Sequence, residues 1–134
     1  MISGAAASEY SPAVMGRFKH PSYGGVGMDQ ANVLHATAGS RSSGASVRLS
    51  LKIGNGNVEQ ARFQAYGCPH FIAAADMLAE WCEGRSIAEL SNWSWQSVEQ
   101  SLDVPPSKRG RLLVLELALN NVINVLRTTQ SAAG

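Results

Sequence analysis

The sequence predicts an α+β domain in which a small antiparallel sheet is covered on one face by helices. Three observations carry that expectation. Val47, Leu49, Leu51 and Ile53 alternate with Arg48, Ser50 and Lys52, the two-residue period of a half-buried strand. A Gly54-Asn55-Gly56 turn then leads into a second run, Val58 to Tyr66, with Ala61, Phe63 and Ala65 on one face, so the two runs form an antiparallel hairpin. One short helix precedes the hairpin and helical patterns fill the chain after it, the segregated order of an α+β domain.

The elements follow in order. Ser11-Pro12 offers a hydroxyl cap followed by proline at the first helical position, and predicts a short helix to about Phe18, ended by Pro21. Gly24, Gly25 and Gly27 follow, and the stretch to Ser46, rich in Gly and Ser, reads as loop, with Val33 and Leu34 pairing briefly with a strand. After the hairpin, Pro69 begins a helix that ends near Cys82, with Gly84 as its stop. Ser86 caps a short helix over Ile87 to Leu90, Trp93 to Leu102 adds a further turn or two, and Val104-Pro105-Pro106 closes the segment. Ser107 to about Thr128 reads as one long helix of about 33 Å. Residues 1–8 and 129–134 are expected to be tails around a single domain over 9–128.

Bulk properties narrow the function classes. A chain of 134 residues suits one domain, and 45% hydrophobic against 16% charged residues allows a substantial core. The formal charge of +1 offers no reason to expect nucleic acid or a lipid surface. The most apolar stretch, Leu112 to Leu119, is interrupted by Glu116 and is too short to span a bilayer, and residues 1–8 lack the features of a secretory signal. Two cysteines, Cys68 and Cys82, are too few for a disulfide framework. On one intervening helix they would stand about 21 Å apart, beyond bridging distance. Reduced thiols and a cytoplasmic setting are expected. Nothing resembles an acid/base pair or a nucleophile triad, so no enzymatic turnover of a small substrate is expected.

The segment Tyr66-Gly67-Cys68-Pro69-His70-Phe71 is the most informative. It places one thiol where a strand enters a helix, and free N–H groups and the dipole at a helix start favour a thiolate. Cys68 there is either a small packing residue or a nucleophilic or metal-binding thiol. His70 and His35 raise the idea of a Cys/His metal site, but Cys-Pro-His is not a ligand spacing in common use. His20 reads as a turn histidine beside Pro21, and Cys82 as packing. Trp93 and Trp95 read as a core lid with at least one ring accessible.

Several segments together resemble the IscU/NifU-type iron–sulfur scaffold family. Glu9-Tyr10-Ser11 through His20-Pro21-Ser22-Tyr23-Gly24-Gly25 is similar to the family's opening helix and the turn after it. Arg62-Phe63-Gln64-Ala65-Tyr66-Gly67-Cys68 resembles the strand leading to its second cluster cysteine. Ala79-Glu80-Trp81 with Gly84-Arg85-Ser86 resembles its helix end and following cap. Val104-Pro105-Pro106-Ser107-Lys108 resembles its Leu-Pro-Pro-Val-Lys segment, which implies a chaperone-binding role for Pro105, Pro106 and Lys108. The order and spacing imply the family's fold over nearly the whole chain.

The resemblance also implies a [2Fe–2S] cluster held by three cysteines with a neighbouring aspartate or histidine. Here Ser43 and Ala45 stand where the first cysteine and the aspartate would be, and Gly110 and Arg111 where the histidine and third cysteine would be. Only Cys68 matches. Serine is a poor thiolate substitute, and arginine is permanently cationic and cannot ligate. The expectation is therefore a family member with a degenerate cluster site and no firmly assigned cofactor. Cys68 would be a sulfur-accepting thiol or a single ligand, supplied by a cysteine desulfurase much as in the similar SufE-type acceptors, and Arg111 could pair with an anion or with the Cys68 thiolate.

The alternative is a non-catalytic accessory subunit of a larger complex, for example an iron–sulfur-containing respiratory one, docked through its last helix. Leu112, Leu115, Leu119, Val122, Ile123 and Leu126 give that helix one core stripe. Leu113, Val114, Leu117, Ala118 and Val125 widen it, either toward a partner chain or under the Trp93–Leu102 segment.

Overall fold

The computed structural model describes residues 10–25 and 32–133, so the expected tail at 1–8 and the glycine at 27 lie outside the described residues. The elements are α1 (Pro12–Lys19), β1 (Val33–Ser40), β2 (Ala45–Gly54), β3 (Asn57–Tyr66), α2 (Pro69–Cys82), a 3₁₀ turn (Ile87–Asn92), α3 (Trp95–Leu102), a second 3₁₀ turn (Pro106–Lys108) and α4 (Arg109–Ala133). The sheet has the order β1-β2-β3 and is antiparallel throughout.

Local chemistry accounts for most boundaries. Ser11 Oγ accepts the Val14 N–H at 3.3 Å, as a cap should. Ser86 and Glu89 form a reciprocal capping box at the Ile87–Asn92 turn. Asn55 and Gly56, at φ 55° and 78°, make the two-residue hairpin turn whose twist suits the flanking strands. Proline 106 starts a 3₁₀ turn before the last helix, and α4 runs to Ala133, past the expected end at Thr128 and into the expected tail.

One expectation fails. The stretch assigned as loop contains β1, a full strand paired with β2 from Val33↔Lys52 to Ser40↔Ala45. Its small residues reflect close packing. A Cβ on Gly39 would lie 2.2 Å from the Ala45 carbonyl oxygen and 3.0 Å from Val114 Cγ1 of α4, and Gly39 has φ +79°. The serines close the following turn: Ser43 Oγ donates to the Ser40 carbonyl at 2.9 Å and accepts the Ser40 N–H at 3.3 Å. Gly39→Ala is therefore expected to lower stability by ~2 kcal/mol or more, from a left-handed residue that must also displace backbone. Chemical denaturation against the parent protein measures it, and a change below ~0.5 kcal/mol would contradict this packing account.

The core lies between the sheet and the helices. Val47, Leu49 and Leu51 of β2 face inward with Phe71 and Leu78 of α2 and Leu112, Leu115 and Leu119 of α4, all buried. Alternate positions, including His35, Thr37, Arg48 and Gln64, are exposed on the opposite face, as a sheet covered on one side requires. The outer edge of β3 is occupied. Val58 N–H donates to Arg85 O, Gly84 N–H to Val58 O, Phe63 N–H to Tyr23 O and Gly25 N–H to Phe63 O, at 2.8–3.0 Å. The Ala61 N–H donates to the Glu83 carboxylate at 3.0 Å. Main-chain groups that would otherwise invite another strand are thus satisfied.

Trp93 is buried and Trp95 half-buried, both against the core, so neither ring is exposed in the manner anticipated for one of them. On α4 the broad apolar surface divides. Ala118 is buried and Val114 packs toward β1, whereas Leu113 and Leu117 remain 46% and 52% exposed.

Candidate functional site

Cys68 is the N-cap residue of α2, with extended backbone and a side chain that makes no capping hydrogen bond, and Pro69 opens the helix. It is half-buried. The turn that delivers it is tight: a Cβ on Gly67 would lie 2.8 Å from Phe71 Cδ2, so a larger residue would push the junction off the core. Cys82, at the other end of the helix, is fully buried, and burial pushes its thiol up to about 12 against the opposing pull of Arg85. It is inert packing, as expected.

The register brings the other matched positions to the same end of the sheet. Tyr66, which leads to Cys68, pairs with Ser46 of β2, close to Ser43 in the β1–β2 turn and Ala45 at the start of β2. Ser43 is exposed with its hydroxyl folded back into that turn, while Ala45 is 2% exposed on the inward face. Gly110 is exposed on the first turn of α4. Arg111 is half-buried and reaches the turn, its Nη2 lying 3.5 Å from where a Gly44 Cβ would be. Its Nε is buried without a hydrogen-bond acceptor.

The Pro-Pro-x-Lys segment sits beside the same helix start. Lys108 Nζ lies 3.2 Å from His70 Nδ1 and 5.2 Å from the Tyr10 ring centroid, and the Tyr10 and His70 rings are 4.8 Å apart. Tyr10, His70, Pro105 and Lys108 line a cavity of about 280 Å³. Pro106 is exposed and Pro105 half-buried. Burial, reinforced by the Lys108 ammonium, holds the His70 pKa below its ordinary value. The lysine ammonium can only donate, so this contact is a hydrogen bond when His70 Nδ1 carries no proton.

His35, grouped with Cys68 on sequence grounds, is elsewhere. It lies on β1 opposite Ser50, on the open face, with Nε2 2.9 Å from Arg48 Nη2. The reason is that its segment is a strand and not a loop curling over the site. Among the described residues no three of His, Cys, Asp and Glu gather as a metal-binding group.

Sequence reasoning missed the group that fixes the first segment over this helix. Asp76 of α2 is 1% exposed and accepts from Arg17 Nη1 and from the Tyr23 N–H, each at 2.8 Å. Arg17 also pairs with Glu80 at 2.6 Å. The available signal was a lone carboxylate in the apolar run Ala73-Ala74-Ala75-Asp76-Met77-Leu78, since a buried charge demands a partner.

These features can be set beside known proteins. The NifU-like N-terminal domain family matches residues 9–130, nearly the whole chain. The chain belongs to this family. It is 30% identical over 116 residues to the iron–sulfur cluster assembly scaffold protein IscU of Buchnera aphidicola subsp. Baizongia pistaciae, covering 85% of this chain and 92% of that protein. It is 27% identical over 125 residues to IscU of Escherichia coli K12, covering 92% and 98%. The fold is shared with a solved NifU-like N-terminal protein from Brucella abortus, at TM-score 0.64, 15% identity and 90% and 94% coverage. A Fervidobacterium islandicum protein described as a cluster assembly scaffold for the SUF system superposes at TM-score 0.65 and 16% identity, covering 85% and 96%. This NifU/IscU-type domain therefore has the α+β architecture expected of it. No helix among the described residues is long and apolar enough to cross a membrane.

Proposed function

We propose that this NifU/IscU-type protein serves iron–sulfur cluster assembly as a sulfur-accepting member, with Cys68 as its acceptor thiol, and does not hold a cluster through the family's full ligand set. The observation that carries the reading is the make-up of one end of the sheet. Cys68 is the sole thiol there, and the orphaned Nε of Arg111 is a donor where a ligand would need a lone pair. Ser43 spends its hydroxyl on Ser40 and Ala45 has no donor at all. These residues do not fit a [2Fe–2S] cargo.

Persulfide transfer asks less of the protein. The Cys68 thiolate attacks the terminal sulfur of a cysteine persulfide on a partner such as a cysteine desulfurase. A new S–S bond forms at Cys68, the partner's S–S bond breaks, and the partner's cysteine leaves as thiolate, with no net oxidation. The resulting persulfide is anionic when deprotonated, and Arg111 at the same end of the sheet has an unmet N–H to offer it. The setting implied is cytoplasmic, and Pro105, Pro106 and Lys108 are the residues assigned to a chaperone contact, with Pro106 the accessible one.

Incubation of the reduced protein with a cysteine desulfurase and cysteine, followed by intact mass measurement, tests the reading. The expected product carries one additional sulfur atom, lost in Cys68→Ser and retained in Cys82→Ser. Absence of an adduct on the parent protein would favour the accessory-subunit reading, which the exposed Leu113 and Leu117 of α4 support. Copurification with a large assembly, lost in Leu113→Glu/Leu117→Glu, is then the expected result.

A further inference from the structure

We propose that the open face of the sheet, at its Cys68 end, is a docking surface for an acidic segment of a partner protein. Arg41 and Arg48 border a shallow groove of about 330 Å³ together with Thr37, Ser46, Gln64 and Tyr66. Elsewhere the guanidinium groups of Arg17, Arg62, Arg85 and Arg109 each meet a carboxylate. Among the described residues Arg41 and Arg48 meet none. Arg41 stacks 4.9 Å from the Tyr66 ring centroid. Arg48 donates to His35 Nε2 at 2.9 Å, a bond that requires an unprotonated ring nitrogen and leaves the arginine charge unneutralised. β1 and β2 contain no Asp or Glu, and β3 contains only Glu59, at the far, hairpin end.

Charge complementarity therefore selects an anionic occupant, and the shape and composition select a protein. The groove lies on the face of the sheet, and strand N–H groups point along the plane of the sheet rather than out of its face, so it offers no backbone cradle for a small phosphate. Its two arginines that meet no carboxylate among the described residues, on a chain of formal charge +1, are too few for a nucleic-acid backbone. It offers what protein interfaces use as anchors: arginines beside a tyrosine that is 44% exposed, with Thr37 and Ser46 hydroxyls and the Gln64 amide placed to meet carboxylates. Tyr66 is also two residues from Cys68, so the groove lies at the end of the sheet from which the chain runs to the thiol. The surface does not depend on Cys68 accepting sulfur.

The test is fluorescence anisotropy of a labelled oligoglutamate peptide with the full chain at low ionic strength, with amide chemical shifts mapping the contact. Binding that weakens with salt, shifts outward-facing residues of β1–β3, and falls about tenfold or more in Arg41→Gln/Arg48→Gln is expected. Cys68→Ser should bind the peptide as the parent does, which separates this result from the sulfur-transfer assay. Circular dichroism confirms that the variants, both at exposed positions, remain folded. No binding, binding undiminished in the double variant, or shifts confined to another surface would overturn the proposal. Equal binding of inorganic phosphate, or of phosphatidylserine vesicles, through the same arginines would overturn the assignment to a protein.

Discussion

Asp76→Ala is expected to lower the unfolding free energy by ~3–5 kcal/mol and the melting temperature by about 10–20 °C. The carboxylate is 1% exposed and joins three parts of the chain: its own helix α2, Arg17 of α1 and the main chain at Tyr23. Its removal strands the Tyr23 N–H and leaves Arg17 with Glu80 alone, an ion pair half in solvent and therefore weak. Because Tyr23 and Gly25 cover the β3 edge at Phe63, the damage spreads to the sheet. Arg17→Met should cost a comparable amount by leaving a buried charge with one backbone donor. The double variant Arg17→Met/Asp76→Leu should recover part of the loss, since an apolar pair needs no partner. The N-terminal segment also carries Tyr10 against His70, so Asp76→Ala should speed alkylation of Cys68 through local opening. A melting temperature within about 2 °C of the parent would refute the account.

That contact was the least legible part of the molecule before its structure, and the reason is general. Alternation, turn chemistry and caps act between neighbours, so Val47–Ile53, Asn55-Gly56, Ser11-Pro12 and Ser86 announced their elements. A buried pair such as Arg17–Asp76 spans 59 residues and leaves only a misplaced carboxylate as its trace. β1 was hidden for a different cause. Its Gly and Ser residues look like loop, yet at Gly39 the absent side chain is what lets α4 approach, and Ser40, Ser42 and Ser43 serve the turn. The same error misplaced His35, which belongs to the open face. At the candidate site, Cys68 as a helix cap and the nearness of the Ser43–Ala45 turn to Arg111 followed from matched segments in order. The direction of the Ser43 hydroxyl did not, because it depends on the turn after a strand that reads as loop, and the Lys108–His70 contact did not, because it joins side chains far apart in the sequence. The arginines that line the open face were likewise unreadable as a group until three strands were in register.

Restoring the donors should restore metal binding. The variant Ser43→Cys/Ala45→Asp/Arg111→Cys would present, with Cys68, three thiolates and a carboxylate, a donor set suited to tetrahedral zinc. Arg111 already reaches the turn that carries residues 43–45, so the substituted positions lie at one end of the sheet beside the head of α2. Without metal the variant is expected to be less stable than the parent, because position 45 is 2% exposed and an aspartate there is buried without a partner. With zinc it should melt above its own apo form by an amount that grows with metal concentration, since binding to the folded state alone shifts the equilibrium. With free zinc at about 100 times its Kd the gain is ~2.7 kcal/mol, which the parent protein should not show. Ser43→Cys/Arg111→Cys, which avoids the buried carboxylate, keeps the test available if the triple variant fails to fold. Adding Cys68→Ser should abolish the effect in either background. Competition with a chromophoric chelator measures stoichiometry, and a variant that takes up no zinc would mean that these positions do not converge on Cys68. Equal uptake by the parent would mean that its present residues suffice to hold metal, and the sulfur-acceptor reading would lose its support.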